Sequence, residues 1–218
     1  MHKIINNLEE IKLKSNQLKS DLQKKIKIIA VSKTFLMKDI EPLIQYGHED
    51  FGENKIQEAV NKWSDIKDKN PKLKLHMIGK IQTNKVKFLL PLFDYIHSLD
   101  NQKLAITLSK NEKILNKHLK YFIQVNVGSE MQKSGIPYGE TEQFFYYCVR
   151  ELNLNVIGLM CIPPHDEYSE KYFKNLSNLN ITLNLEELSI GMSNDYMKAA
   201  SNNATFLRIG SAIFGNRS

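Results

Sequence analysis

Apolar residues along this chain fall into short β-branched runs separated by longer stretches with helical spacing. The first run, 26–33, carries Ile26, Ile28, Ile29 and Val31 and closes on Lys33. A run of that length, rich in Ile and Val, reads as a buried strand. Strand side chains alternate between faces, so Lys33 is expected to share a face with Ile29 and Val31. Further strand-like runs cover 49–53, 74–79, 95–99, 121–128, 155–162, 187–193 and 205–211, and Pro163-Pro164 stops the sixth. Ahead of them, Ile4, Ile5, Leu8, Ile11, Leu18 and Leu22 predict an amphipathic helix from 3 to about 25. Helical spacing also covers 39–46 with Gly47 as its cap, then 55–67, 84–89, 102–115, 140–152, 168–179 and 194–200.

Strands alternating with helices argue for parallel βαβ units, and eight such units match a (β/α)8 TIM-type barrel. A doubly wound open sheet is the competitor, but the GxGxxG fingerprint it would often carry after its first strand is absent. No break in composition divides the chain. Residues 1–218 therefore read as a single α/β barrel domain preceded by one extra N-terminal helix.

Composition narrows the function classes. The 42% hydrophobic and 25% charged content of the 218 residues fits an ordinary globular chain. A net charge of +6 and a pI near 9.1 raise the question of nucleic acid. The lysines are interleaved with Glu and Asp, however, without an RNP-type motif, zinc-finger spacing or a long basic tract. A solvated lysine-rich surface with no nucleic-acid partner is the expectation. Cys148 and Cys161 form no CxxC pair, which suggests a reducing compartment and no disulfide framework. Residues 1–10 lack the apolar core of a signal peptide, and no run approaches the roughly 18 apolar residues of a membrane span. A cytoplasmic protein without membrane contact is expected.

Active sites of such barrels lie at the C-terminal ends of the strands. Those ends offer Lys33, Asn54, Gly79, Asp100, Asn126, Met160, Ser193 and Gly210-Ser211. An amine closing an apolar face favours its neutral, nucleophilic form, the state needed to condense with an aldehyde. The alternative is that Lys33 snorkels into water. The loops after strands seven and eight commonly hold phosphate, and here they supply Ser193, Gly210 and Ser211. Arg208, between Leu207 and Ile209, needs a partner: a carboxylate across the barrel or an electron-rich ligand atom. Gln124 and Asn126 share a face, as a polar site or as satisfied core amides. His76 and His97 lie singly in strands and read as core residues, with no spacing for a metal. An aldehyde bearing a phosphate answers the lysine, the loops and the arginine together, and pyridoxal 5′-phosphate (PLP) is the candidate.

The stretches AVSKTF at 30–35, FGENKIQEA at 51–59, HMIGKIQTNK at 76–85, IHSLD at 96–100, QVNVGSEMQKSGI at 124–136, GLMCIPP at 158–164, LSIGMSNDYMKAA at 188–200 and LRIGSAIFGNR at 207–217 carry a specific likeness. Through nearly its whole length the chain resembles the pyridoxal phosphate homeostasis proteins, relatives of the N-terminal barrel of alanine racemase. The resemblance implies PLP held as a Schiff base on Lys33, with Asn54 and Met160 lining the pocket. It further implies that Ser193, Gly210 and Ser211 hold the phosphate and that Arg208 faces the pyridine nitrogen. Many relatives carry threonine where this chain has Ser211, and both offer a hydroxyl. Lys133 is a second candidate contact for the aldehyde, or a solvated loop lysine.

An arginine facing the ring nitrogen donates to it and leaves it unprotonated, which makes the ring a poor electron sink, although barrel racemases of the same kind work with such an arginine. Racemases of this kind also need a base on the opposite face, supplied by a separate C-terminal domain, whereas this sequence ends soon after its eighth strand. The expected role is therefore non-catalytic: an intracellular PLP carrier and buffer that meets apo-enzymes transiently. A small PLP-dependent amino acid racemase, with its base from Tyr138, Tyr168 or a partner subunit, is the alternative. A monomer is expected, with a dimer left open.

Overall fold

The apolar runs form strands that close on one another. The computed structural model describes residues 2–18, 25–128, 130, 134–164 and 168–215. Its strands are β1 (Lys27–Val31), β2 (Asp50–Glu53), β3 (Lys74–Met77), β4 (Tyr95–Leu99), β5 (Lys120–Asn126), β6 (Ile136–Pro137), β7 (Val156–Met160), β8 (Glu187–Ser189) and β9 (Phe206–Ile209). Their order is β4-β3-β2-β1-β9-β8-β7-β5, all parallel, and a β4–β5 pairing completes the ring. The two-residue β6, which the pattern did not announce, lies beside the end of β5. This is the (β/α)8 barrel expected from the alternation.

The intervening helices are α1 (Lys3–Gln17), α2 (Met37–Gln45), α3 (Ile56–Lys69), α4 (Val86–Leu89), α5 (Gln102–Leu115), α6 (Thr141–Tyr146), α7 (Ser169–Thr182), α8 (Tyr196–Ala200) and α9 (Ser211–Phe214). The extra helix α1 buries Ile4, Ile5, Leu8 and Ile11 against α8 and α9, where Asn7 Nδ2 donates to Ile213 O at 2.9 Å. Leu18 is exposed, and Leu22 lies outside the described residues. No helix among the described residues is long and apolar enough to cross a membrane.

Two strands stop earlier than their apolar runs. Ser32 N–H still donates to Gly52 O at 3.0 Å, but the chain then turns, so Lys33 lies two residues beyond β1. β8 ends at Ser189 because Gly191 has φ +88°, and a Cβ there would sit 2.5 Å from Ala199 Cβ. That turn carries Met192 and Ser193 away from the strand direction.

A parallel sheet covered on both faces has two cores. The larger lies between strands and helices. The smaller fills the barrel with Ile29, Tyr95, Phe122, Met160 and Phe206, and beside them lie the buried polar groups His76, His97, Ser189 and Arg208. At Gly158, on β7, a Cβ would stand 1.9 Å from Glu187 O of β8. Gly158→Ala is expected to destabilise the fold by about 3 kcal/mol, because backbone rather than a flexible side chain must move. Gly139→Ala, which meets nothing within 4 Å, should stay within about 0.5 kcal/mol. Urea denaturation of the two variants checks the contrast.

Acid sensitivity is built in at the foot of β2. His48 is buried, its Nε2–H donates to Asp50 O at 2.9 Å, and burial pushes its pKa down to about 4. Below the ordinary value of 6.5 the unfolded chain binds a proton that the folded chain refuses, so stability falls with falling pH. The window runs from about pH 6.5 to 4, and the loss at its end is up to about 3 kcal/mol. Melting temperatures measured across that range should decline, and His48→Gln should flatten the decline. An unchanged slope in His48→Gln would assign it elsewhere.

Candidate functional site

The turn that carries Lys33 is held from below. Glu53, fully buried at the end of β2, accepts through Oε1 from Ser32 Oγ at 2.7 Å, Trp63 Nε1 at 2.9 Å and Lys62 Nζ at 3.0 Å. Lys62 Nζ also donates to Ser32 O at 3.0 Å. On the other side of Lys33, Thr34 N–H donates to Glu58 Oε1 at 2.7 Å. Thr34 has φ 69°, a left-handed conformation that costs a β-branched residue about 1 kcal/mol or more and persists where its surroundings over-determine it. The backbone is thus fixed on both sides of the half-buried Lys33. The amphipathic face of α3 does this work: Trp63, Lys62 and Glu58 all stand on it.

A cavity of about 530 Å³ opens at the C-terminal end of the barrel. Lys33, Asn54, Ser193, Arg208, Gly210 and Ser211 all line it. Met160 does not: it is fully buried in the inner core, and Ile162, two residues further on, reaches the wall instead. The amides of β5 also turn elsewhere. Gln124 Nε2 donates to Ser134 O at 3.0 Å and Asn126 Nδ2 to Glu130 O at 2.9 Å, so they fasten the loop after β5. Gly79 packs on the Asn54 backbone, and Asp100 accepts from Asn101 Nδ2 at 2.6 Å. Lys133 lies outside the described residues.

Arg208 is 4% exposed. Among the described residues no carboxylate forms an ion pair with it. Its Nη1 donates to Ser189 O and Ser189 Oγ, each at 2.7 Å, and its Nη2 to Cys161 O at 2.8 Å. Burial lowers its pKa from the usual value, yet a guanidinium stays charged. Among the described residues no hydrogen bond takes up Nε–H or the second Nη2–H, and Arg208 lines the cavity. Burial pushes the neighbouring Cys161 thiol up to about 12, so it is no nucleophile.

The loops after β8 and β9 meet at the same mouth. Ala212 N–H donates to Ser193 Oγ at 3.2 Å and ties the two loops together. Asp195, which the helical spacing puts inside a helix over 194–200, stands just before α8 (Tyr196–Ala200); it accepts from Met192 N–H at 2.6 Å and fixes the loop that presents Ser193. Its signal was the Ser-Asn-Asp turn chemistry. At Gly210 the nearest atom to an added Cβ is Val31 Cβ at 3.6 Å, an ordinary contact. Among the described residues nothing demands glycine there, and Gly210 lines the cavity. Asn54 Oδ1 is buried with no partner among the described residues, an acceptor left over for whatever enters.

Comparison with known proteins gives the family. The alanine racemase N-terminal domain pattern matches residues 6–218. A pyridoxal phosphate homeostasis protein of Aquifex aeolicus (strain VF5) is 38% identical, over 88% of this chain and 87% of that protein. PipY of Synechococcus elongatus PCC7942, solved with PLP bound, superposes with a TM-score of 0.81 at 30% identity, covering 94% of this chain and 100% of PipY. An alanine racemase of Clostridium difficile 630 shares the fold alone: TM-score 0.74 and 16% identity, with 99% of this chain matching 57% of that one.

Proposed function

The chain belongs to the pyridoxal phosphate homeostasis proteins, within the alanine racemase N-terminal domain family, and we propose that it holds PLP in the cavity at the mouth of its barrel. One observation carries the reading: an amine, a guanidinium with donors to spare and a hydroxyl-bearing double loop line one cavity of about 530 Å³. When bound, PLP supplies an electrophilic aldehyde carbon, and Lys33 is the amine placed to condense with it as a Schiff base. Arg208 directs its remaining N–H groups to the ring nitrogen. Ser193, Gly210 and Ser211 take the phosphate, and Asn54 stands beside the ring.

The role we assign is that of a carrier and buffer in PLP homeostasis rather than a catalyst. Arg208 donates to the ring nitrogen and blocks its protonation, which withholds the electron sink that carbanion chemistry uses. A racemase needs a base on the opposite face of the ring. Among the described residues lining the cavity there is no histidine or tyrosine, and Asp195 already serves Met192 N–H. Tyr138 donates its hydroxyl to Asn175 O at 3.1 Å instead. A bound aldehyde shielded from stray amines, then released to apo-enzymes, follows from such a site.

The protein loaded with PLP should be yellow, and borohydride should bleach that band while leaving the cofactor attached. A band unaffected by borohydride would contradict the bound Schiff base. Single-enantiomer amino acids incubated in deuterated water with the loaded protein should keep their α-protons. Rapid exchange would replace the carrier with a racemase.

A further inference from the structure

Behind Arg208 a file of buried polar side chains crosses the whole barrel. Arg208 Nη1 donates to Ser189 Oγ at 2.7 Å, and Ser189 Oγ lies 2.8 Å from His97 Nδ1. His97 Nε2 is 3.0 Å from His76 Nδ1, and His76 Nε2 is 2.9 Å from Asp50 Oδ1 at the opposite end of the barrel. The rings are clamped by aromatic faces: His97 stacks on Phe122 at 4.3 Å and His76 on Tyr95 at 4.4 Å. His76, His97 and Ser189 are each 0% exposed.

The direction of every proton in this file is set from the Asp50 end and matched at the Arg208 end. A guanidinium only donates, so Ser189 Oγ accepts from Arg208 and keeps its own proton for His97 Nδ1. Burial holds His97 well below the ordinary histidine pKa and lowers His76 too, so each ring carries one proton. For His97 that proton sits on Nε2 and goes to His76 Nδ1. For His76 it sits on Nε2 and goes to Asp50. Burial raises the Asp50 carboxyl, but the His76 hydrogen bond and the charges around it win, so Asp50 stays ionised and accepts. A cation at one end and an anion at the other thus polarise every bond in one direction.

We propose that His97 and His76 are positioning residues: with Asp50 as terminal acceptor, they lock Ser189 as an acceptor for Arg208 and so fix the guanidinium that reads the ring nitrogen. The inference deepens the PLP-binding reading and rests on it. Asp50 becomes the remote counter-ion of Arg208, delivered through neutral groups rather than by contact. Without the file, the Ser189 hydroxyl can rotate and oppose Nη1, and the fork loses its fixed aim.

Two measurements test this. In ligand-free protein, nitrogen NMR of labelled histidine should show both His76 and His97 as neutral Nε2–H tautomers; His97 charged or protonated on Nδ1 would overturn the inference. Deoxypyridoxine 5′-phosphate, which has the ring nitrogen and phosphate but no aldehyde, then isolates the ring contact. His97→Phe keeps an aromatic ring beside Phe122 and is expected to bind this probe about tenfold more weakly, while binding inorganic phosphate as the wild type does. Equal losses for both probes, or no loss for the first, would overturn it. Should His97→Phe fail to fold, Asp50→Asn preserves shape and is expected to lose about threefold for the same probe alone, with unchanged binding counting against the file. A wild-type protein that binds neither probe sinks the PLP-binding reading itself; wild-type binding with indifferent variants sinks only the file.

Discussion

Replacing Lys33 with alanine is expected to reduce the borohydride-trapped pyridoxyl group from stoichiometric to undetectable when PLP is supplied at the protein's own concentration. The expectation rests on placement rather than on lysine as such, since lysines cover the surface of this basic chain. Lys33 lines the same cavity as Arg208 and Ser193, and its backbone is clamped by Glu53 through Ser32 and by Glu58 through Thr34. Holding an amine where the phosphate and ring are already bound raises its effective concentration toward the aldehyde far above that of any surface amine. Lys33→Arg separates charge from chemistry. It keeps a cation at the mouth but cannot condense, so it should lose the adduct while retaining affinity for inorganic phosphate. Peptide mass spectrometry after reduction checks both variants. An adduct of undiminished yield on another lysine would remove Lys33 from its role.

The second large effect is on stability. Arg208→Met should destabilise the folded protein by about 3 kcal/mol or more. Methionine keeps an unbranched apolar stem but leaves Ser189 O, Ser189 Oγ and Cys161 O without their donors inside the barrel. Each orphaned buried acceptor costs about 1–3 kcal/mol. Arg208→Lys should rescue little, because one compact ammonium cannot span acceptors on β8 and beyond β7 that the planar fork reaches together. Denaturant midpoints give the answer. A loss under about 1 kcal/mol for Arg208→Met would mean that the guanidinium is held loosely.

Much of the site was legible because barrel topology sorts strand ends in space. Lys33, Asn54, Ser193, Gly210 and Ser211 could be gathered from ordinal position alone, and Arg208 announced itself as a charge inside an apolar strand. Met160 resisted for a geometric reason. Whether the last residue of a strand faces the mouth or the inner core depends on stagger between strands, and the β5–β7 register shifts between Tyr121 and Phe122. Gln124 and Asn126 carried no label saying whether their amides would serve a ligand or a loop. The file from Arg208 to Asp50 was beyond the sequence altogether. His97 meets Ser189 from 92 residues away, a pairing created by barrel closure and visible in no local pattern. Lone histidines in strands did read as core residues, and so they are.

The most direct measurement is a crystal structure of the wild-type protein grown with PLP. The expected map shows unbroken density from Lys33 Nζ into the aldehyde carbon, the ring nitrogen within hydrogen-bonding reach of Arg208, and the phosphate between Ser193 and Ser211. PLP bound away from this cavity, or seated in it with Lys33 turned aside and unbonded, would contradict the account.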